Sequence, residues 1–459
     1  MKKNIDMLNG PLFKGILSFA VPVILTNLLQ ILFNTADLIV VGQFCGSLSV
    51  GAVSSTTSLT NLIVNFFIGL SIGTGVAVAR GIGGHKPEAV HRTIHTAIPT
   101  AIICGGIISL IGILFSSTFL RLMDTPENVL PLSTLYMQIY FSGMIFNMVY
   151  NFSASILRAT GETKLPLYFL SFAGVLNVIL NLFFVIVLKM DVAGVALATS
   201  ISQAVSAVMA VIALSRRTDI CQLDLKKMHI YPKEFLTILR LGLPAGIQSS
   251  LFAVSNVIIT SSINSFGSEA IIAGNGAAQN LQGPLTSVTG AFYATSTNYI
   301  GQNAGAHKFD RVKKAYGICL LCMATLTIPI SGLLYLFREP LLSLYITDNP
   351  EAIIYGATRM IYIGLFFSLL GLMDTSTGAI RGLGYSVVPM IVTLMGACGL
   401  RILWVYTIFQ IPKCHTMACL YQSYPVSWIV TFSVELIIFL TIVNKKKKSA
   451  QMQLTQTPA

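Results

Sequence analysis

The stretch ARGIGGHKPEAVHRTI at residues 79–94 aligns without gaps to GQNAGAHKFDRVKKAY at residues 301–316. The same offset of 222 residues pairs Pro22 with Pro244. The chain therefore repeats one plan twice, and each half is predicted to fold in the same way. The identical positions in the two stretches are Gly83 and Gly305, His85 and His307, Lys86 and Lys308, and Val90 and Val312.

The composition is that of a membrane protein. Hydrophobic residues make up 54% of the 459 positions and charged residues only 10%, which is too little charge to coat a soluble globule. Twelve apolar segments are each long enough to span a bilayer as a helix. They lie at about 16–42, 50–79, 93–115, 133–157, 165–188, 191–214, 236–265, 271–300, 315–337, 353–380, 388–410 and 418–443.

These segments predict an all-α membrane protein with twelve transmembrane helices in two six-helix bundles. Residues 1–221 would form an N-lobe with helices 1–6, and residues 222–459 a C-lobe with helices 7–12 and a basic cytoplasmic tail at 444–459. Six helices followed by six more form a parallel repeat. In transporters of this plan, substrate binds between the halves and rocking of one half alternates access.

The basic residues predict the orientation. With both termini in the cytoplasm, 23 of the 29 Lys and Arg residues lie on the cytoplasmic side and only four lie outside. The net charge of +12 therefore does not indicate a nucleic-acid partner. The run Lys445 to Lys448 is interpreted as an anchor to the inner leaflet. We expect a multi-pass protein of the cell membrane.

Three carboxylates stand out among the seventeen in the chain, because only Asp37, Asp374 and Glu435 lie inside apolar segments. An ionised side chain at membrane depth costs at least ~2.5 kcal/mol and usually survives by lining a wet cavity, pairing with a cation or exchanging ions. These three are therefore the first candidates for functional residues.

Asp37 ends a polar stripe on the first segment, because Asn27, Gln30, Asn34 and Asp37 fall on one helical face. Neighbouring segments repeat such stripes, and Gln248 and Gln279 add polar faces to the second half. Together they predict a hydrated cavity whose only full charge is Asp37, in outline a cation site. The alternative is ordinary interhelical hydrogen bonding, worth ~0.6 kcal/mol per contact. The other stripe residues are Thr57, Asn61 and Asn65, Asn147 and Asn151, Asn177 and Asn181, and Thr199 and Gln203.

The second half carries a predicted charged cluster of Asp374, Arg401 and Glu435. The long side chain of Arg401 can reach either acid, and such a pair reduces the cost of the buried charges. A structural pair and a coupling relay both remain open interpretations. Asp374 also lies seven residues before Arg381, on the same helical face.

Taken together, several segments resemble the multidrug and toxic compound extrusion (MATE) family. They are the segment Asn34-Thr-Ala-Asp37-Leu-Ile-Val-Val41-Gly42, the repeated Gly-X-His-Lys loop, and the turns Arg158-Ala-Thr-Gly161 and Arg381-Gly-Leu-Gly384, each followed by a proline. The resemblance covers nearly the whole chain. It implies export of organic, positively charged drugs in exchange for H⁺ or Na⁺.

The resemblance also implies a cation-coupling site made of Asp37, Asn177, Asn181 and Thr199. Prokaryotic relatives often carry an acid at the position of Asn181, which this chain lacks. One carboxylate with neutral oxygens suits a proton, whereas Na⁺ prefers more oxygen ligands and more negative charge. We therefore favour H⁺, with Na⁺ at Asp37 as the only metal considered and no other cofactor.

Two rival functions remain open. A lipid-linked oligosaccharide flippase of the same broader fold would need cationic cavity walls, for which Arg359 and Arg401 are candidates. An intramembrane enzyme is a more distant alternative, because the sequence contains no zinc-protease or nucleophile-elbow motif. The sequence contains no P-loop motif, so we do not expect direct use of ATP. We expect a monomer that acts on small organic substrates within the lipid bilayer.

Overall fold

The computed structural model describes residues 5–347 and 349–456, without the side chains of Ser58 and of residues 453–456. Every regular element in these residues is helical. The first nine α-helices are α1 (Leu12–Phe44), α2 (Ser47–Gly83), α3 (Pro87–Leu122), α4 (Leu130–Ser142), α5 (Met144–Ala159), α6 (Lys164–Leu182), α7 (Asp191–Ser215), α8 (Pro232–Asn264) and α9 (Glu269–Leu281). The remaining eight are α10 (Gly283–Gly305), α11 (Phe309–Leu336), α12 (Arg338–Ser343), α13 (Pro350–Arg359), α14 (Phe367–Gly382), α15 (Val387–Thr393), α16 (Leu400–Tyr406) and α17 (Met417–Gln456).

Three segments of π-helix interrupt or extend these helices. They lie at Phe183–Val187 after α6, at Met360–Gly364 after α13 and at Leu394–Gly399 between α15 and α16. π-Helical turns are rare and occur frequently at functional sites. Each of the three lies within two residues of a buried polar side chain, namely Asn181, Arg359 and Arg401 respectively.

All twelve predicted segments are helical, but fewer helices qualify as single spans. In the described residues, nine helices are long and apolar enough to cross a membrane, or ten if Pro350–Gly364 and Phe367–Gly382, bent by 42°, count as one. The predicted fourth and eighth spans are instead broken. The fourth is divided into α4 and α5 at Gly143, and the eighth into α9 and α10 at Gln282.

The chain divides into two compact units whose bounds differ from the predicted lobes. Unit 1 is Leu25–Gly246, and unit 2 comprises Ile5–Ile24 together with the chain from Ile247 onward. Helices α1 and α8 thus each belong to both units. Each division falls two residues after a proline inside the helix, Pro22 in α1 and Pro244 in α8. The predicted boundary at 221/222 instead lies inside unit 1.

The connection before α8 belongs to unit 1 because α3 binds it through hydrogen bonds. His95, which is fully buried, accepts the Asp224 backbone N–H at Nε2 over 3.0 Å. The Thr96 hydroxyl accepts the backbone N–H of Tyr231 at 3.1 Å. The linker is therefore a packed part of unit 1.

Four glycines bring the backbones of α2 and α8 into direct contact inside unit 1. A Cβ atom added at Gly69 would lie 2.2 Å from the Gly246 nitrogen, and one at Gly73 would lie 2.5 Å from the Gly242 nitrogen. Both pairs are spaced four residues apart, so each helix presents a small-residue face to the other. Only glycine fits at these four positions.

The glycine contact leads to a stability prediction. Gly69→Ala should lower the free energy of unfolding by about 1–3 kcal/mol, because the new Cβ would meet backbone that cannot rotate away. Gly106→Ala on α3 is the matched control, since nothing lies within 4 Å of its added Cβ. The thermal unfolding midpoints of the purified proteins in detergent test this. Equal midpoints for Gly69→Ala and the unmutated protein would contradict the close approach.

Candidate functional site

Asp37 lies in a closed ring of hydrogen bonds formed by α1, α6 and α7. The Asn181 side-chain amide donates to Asp37 Oδ1, and the Thr199 hydroxyl lies 3.4 Å from Asp37 Oδ2. Asn181 Nδ2 also lies 3.3 Å from Asn177 Oδ1, and Asn177 Nδ2 lies 3.3 Å from Thr199 Oγ1. The four residues that the resemblance assigns to the coupling site are thus in mutual contact.

Helical spacing explains how α6 supplies two members of this ring. Asn177 and Asn181 are four residues apart, so both amides point from one face of α6. Both are buried, with 5% and 0% of their surface exposed. The π-helical turn Phe183–Val187 begins two residues after Asn181, where it changes the helical register.

The ring leaves one polar atom without a partner. Asn181 Oδ1 is buried and makes no hydrogen bond among the described residues. Thr199 has a single hydroxyl proton, yet it has two acceptors in range, Asp37 Oδ2 and the Val195 carbonyl at 3.0 Å. A buried acceptor without a donor is costly, which makes Asn181 Oδ1 a place where a proton or cation would be stabilised.

A cavity of about 130 Å³ lies against this ring inside unit 1. Of the described residues that line it, Asp37 alone carries a charge at neutral pH. Its volume is below the ~300–1,000 Å³ usual for drug-sized ligands, so it has room for a hydrated ion or part of a larger molecule. The lining residues are Gln30, Phe33, Asn34, Asp37, Asn147, Tyr150, Asn151, Leu170, Ala173, Gly174, Asn177, Thr199, Ser202, Gln203 and Ser206.

Most predicted cavity residues of the first half line this cavity. Five do so directly, and Asn151 Nδ2 also donates to Asn147 Oδ1 over 3.0 Å. The helical spacing of these stripes therefore predicts that their residues share a face. The five are Gln30, Asn34, Asn147, Asn151 and Gln203.

The stripe on α2 does not line the cavity. Asn61 and Asn65 are exposed, together with Thr57, whereas Thr56, Thr60 and Val64 are buried. The stripe exists as a face, but the opposite side of α2 packs within unit 1. Periodicity predicts that residues share a face and does not predict which way that face points.

Neither glutamine assigned to the cavity from the second half lines it. Gln279 on α9 is exposed. Gln248 belongs to unit 2, where its Oε1 accepts a hydrogen bond from Arg381 Nη2 at 2.6 Å. Arg381 also donates to the Tyr293 hydroxyl. Gln248 thus holds an arginine within unit 2.

In the part of the chain that it describes, the structure does not show the pair of Arg401 with an acid of unit 2, which was one of the two interpretations of the charged cluster. Glu435 is fully buried and accepts hydrogen bonds from Thr377 at 2.7 Å and from Thr393 at 3.2 Å. Asp374 interacts with Thr289 and Arg381. The basic residue near both acids is therefore Arg381, which the spacing of seven residues from Asp374 had indicated.

Arg401 instead lies among aromatic side chains. Its Nε donates to Ser427 Oγ at 2.9 Å, and its guanidinium carbon is 4.2 Å from the centroid of the Tyr424 ring. Sequence spacing alone did not indicate this environment, because it depends on how α16 is rotated about its axis toward α17.

An aromatic wall of the cavity was not predicted from the sequence. Phe33 lies against Gly174, where an added Cβ would come within 1.8 Å of the ring. Tyr150 closes another part of the wall, with its hydroxyl donating to the Pro166 carbonyl over 3.1 Å. The signal for the first contact was present, because a glycine inside an apolar helix often marks a close approach.

A repeated helical bundle with an acid in a neutral polar cavity defines a membrane transporter with internal duplication. The family model MatE matches the chain twice, at residues 22–183 and 244–407. The chain belongs to this family, which confirms the resemblance and the tandem repeat seen in the sequence. The family consists of multi-pass membrane transporters and not enzymes.

Curated relatives cover most of the chain. It is 28% identical over 401 residues to a probable multidrug resistance protein, YpnP, of Bacillus subtilis, covering 87% of this chain and 89% of that one. It is also 28% identical to YoeA of the same organism, likewise called a probable multidrug resistance protein, over 95% of this chain and 94% of that one. A third relative, 24% identical, is named an FAD transporter of Shewanella oneidensis and covers 81% and 83% of the two chains.

Solved structures share the fold. The chain matches a crystal structure of MATE in complex with MaL6 with a TM-score of 0.90, covering 98% of this chain and 100% of that one. An outward-facing conformation of a multidrug resistance MATE family transporter matches with a TM-score of 0.91, covering 98% and 99%. Both are 20% identical to this chain, so they confirm the predicted all-helical, twice-repeated fold.

The environment of Glu435 leads to a second prediction. Glu435→Gln should leave the thermal midpoint unchanged or raise it, because an amide oxygen still accepts from Thr377 and Thr393 and the amide cannot carry a charge. Glu435→Leu should cost about 1–3 kcal/mol for each hydroxyl left without its acceptor. Thermal unfolding in detergent distinguishes the two variants. A leucine variant as stable as the glutamine variant would show that these hydrogen bonds do not stabilise unit 2.

Proposed function

We propose that this protein exports small, positively charged organic compounds across the cell membrane in exchange for H⁺. One observation carries the proposal, namely that Asp37 is the only charged residue among the described residues of the cavity. A lone carboxylate among neutral polar groups attracts both protons and positively charged organic compounds. Family membership and the names of the two Bacillus relatives support multidrug efflux.

Competition at Asp37 is the proposed basis of exchange. When ionised, Asp37 accepts hydrogen bonds from Asn181 and Thr199 and can attract a cationic substrate. When protonated, it becomes a donor and no longer needs both partners. Rotation of the Asn181 amide would then offer the unpartnered Oδ1 to the new proton. Proton binding is thereby linked to the contacts between α1 and α6.

The ligand set favours H⁺ over Na⁺. Besides the two Asp37 oxygens, the ring offers one oxygen each from Asn177, Asn181 and Thr199. Only one full negative charge stands among them, and the oxygen of Asn177 already accepts a hydrogen bond. A proton needs a single acceptor and a single charge, whereas a metal cation needs several oxygen ligands at once.

We further propose that transport uses alternating access, with hinges at Pro22 and Pro244. Proline removes a backbone donor and loosens a helix, and each of these prolines lies two residues before a division between units.

The excess of Lys and Arg in alternate loops supports a cytoplasmic location for both termini. The ring is complete within one chain, so the proposed coupling requires no second subunit, and we propose a monomer.

The flippase alternative has less support from the site. A pyrophosphate-bearing lipid needs cationic walls, and no Lys or Arg is among the described residues that line the cavity. Arg359 and Arg401, the two candidates, are 6% and 1% exposed and belong to unit 2, whereas the cavity lies in unit 1. An anionic cargo such as that in the name of the Shewanella relative is disfavoured at Asp37 for the same reason.

The proposal predicts that Asp37→Asn abolishes extrusion of ethidium from cells lacking other pumps. The asparagine keeps the size of the side chain but cannot ionise, so neither a proton nor a cationic dye is held by charge. Dye efflux is measured by fluorescence, and the amount and thermal midpoint of the membrane-inserted protein are measured in parallel.

Asp124→Asn is the matched control, because Asp124 is exposed between α3 and α4 at φ 53°, a backbone conformation that asparagine tolerates. It should retain full efflux. Retained efflux in Asp37→Asn would remove this carboxylate from the mechanism.

Imposed ion gradients test the coupling ion. In proteoliposomes, a pH gradient should drive ethidium transport, and a Na⁺ gradient at equal pH should not. Asn181→Asp adds a second carboxylate to the ring and should make transport respond to Na⁺, because charge and ligand number then suit a metal cation. If a Na⁺ gradient alone drives transport in the unmutated protein, the coupling ion is Na⁺ and not H⁺.

A further inference from the structure

Two buried arginines of unit 2 lack a carboxylate partner. Arg359 and Arg401 are 6% and 1% exposed. Among the described residues, no Asp or Glu oxygen lies within 4.0 Å of either guanidinium. A buried charge usually requires a partner of opposite sign, because removing it from water is costly.

The two positive charges also lie near each other. Their guanidinium carbons are 5.9 Å and 4.2 Å from the centroid of the same ring, that of Tyr424. Rings of Tyr421 and Trp428 contribute further cation–π contacts, to Arg359 and to Arg401 respectively. Aromatic faces attract a cation but carry no net charge, so repulsion between the two arginines is not offset.

Neutral acceptors satisfy only part of the hydrogen-bonding capacity of these arginines. Arg359 donates to Asn275 Oδ1 at 2.8 Å and to Gln282 Oε1 at 3.3 Å, and Arg401 donates to Ser427. The Asn275 oxygen is shared with the Tyr421 hydroxyl. Three neutral oxygens, on Asn275, Gln282 and Ser427, thus serve the two arginines, and one of them also accepts from Tyr421.

The atoms left over in this cluster are all donors. Arg359 Nε, Arg401 Nη2, Gln282 Nε2 and the indole N–H of Trp428 are buried without a hydrogen-bond partner among the described residues. Each belongs to a side chain that is at most 6% exposed. A water molecule accepts at most two such bonds and cancels no charge, whereas an anion accepts several and neutralises one arginine.

We propose that this arginine–aromatic cluster, comprising Arg359, Arg401, Gln282, Tyr421, Tyr424 and Trp428, binds one small inorganic anion of the halide class, with chloride as the physiological ligand. Arg401 and Trp428 are both fully buried, which favours a small anion over a nucleotide or a lipid pyrophosphate. π-Helical turns adjoin both arginines, Met360–Gly364 directly after Arg359 and Leu394–Gly399 just before Arg401. The site is separate from Asp37 and does not depend on the proposed efflux activity.

Tryptophan fluorescence provides a direct test, because the chain has only two tryptophans, Trp404 and Trp428. In Trp404→Phe protein, Trp428 is the sole reporter, and iodide quenches tryptophan on contact. Titration with iodide at constant ionic strength, balanced with gluconate, should give saturable quenching that chloride reverses competitively. Linear quenching that chloride leaves unchanged would overturn the proposal.

Variants of the cluster sharpen this test. In the Trp404→Phe background, Arg359→Met and Arg401→Met should each weaken iodide binding at least about tenfold, because each removes a buried charge and its donors. Arg338→Met is the matched control, since Arg338 pairs with Glu339 and lies over Tyr335. Unchanged affinity in both cluster variants would refute the assignment.

The unmutated protein gives an independent readout should a cluster variant fail to fold. A ligand that binds only the folded state raises the thermal midpoint with concentration. Replacing gluconate by chloride at constant ionic strength should therefore raise the midpoint, with bromide acting similarly. Identical midpoints in chloride and gluconate would overturn the proposal without the use of any variant.

Discussion

A carboxylate inside an apolar helical bundle must be held by donors from other helices, and the contact between Asp37 and Asn181 meets this requirement. It joins α1 to α6, and through Thr199 it involves α7 as well. The requirement determines which faces of these helices turn inward, and hence where the cavity forms. Most of the polar side chains that line it stand on the same three helices, and α5 adds Asn147, Tyr150 and Asn151.

Much of this arrangement was predictable from the sequence because helical spacing is local. Polar residues three or four apart share a face, and this placed Gln30 and Asn34 in line with Asp37. The family resemblance then predicted that Asn177, Asn181 and Thr199 form one site with Asp37. Long-range partners were harder to predict, since they depend on the rotation of each helix about its own axis. Arg401 faces aromatic rings for this reason, and the Asn61 and Asn65 stripe on α2 is exposed and does not line the cavity.

The repeat predicts equal folds but not equal chemistry. Unit 1 holds the half-buried Asp37 among amides and hydroxyls, whereas unit 2 holds the half-buried Asp374, the fully buried Glu435 and the buried arginines Arg359, Arg381 and Arg401. Corresponding positions keep the turns and prolines because these determine the path of the backbone. The buried charges differ because each is satisfied by partners particular to its own unit. A duplicated fold can therefore hold two different electrostatic environments.

The shared membership of α1 and α8 has a consequence for how such a chain can arise. Residues Ile5–Ile24 belong to the unit built mainly from the second half, and the stretch up to Gly246 belongs to the unit built from the first. In a half-length ancestor with this arrangement, the start of the first helix would have packed into a second copy of the chain, as in a domain-swapped dimer. Fusion of the two genes would then have made an existing exchange permanent, and severing the chain at the linker would leave each fragment missing a strip of its own interior.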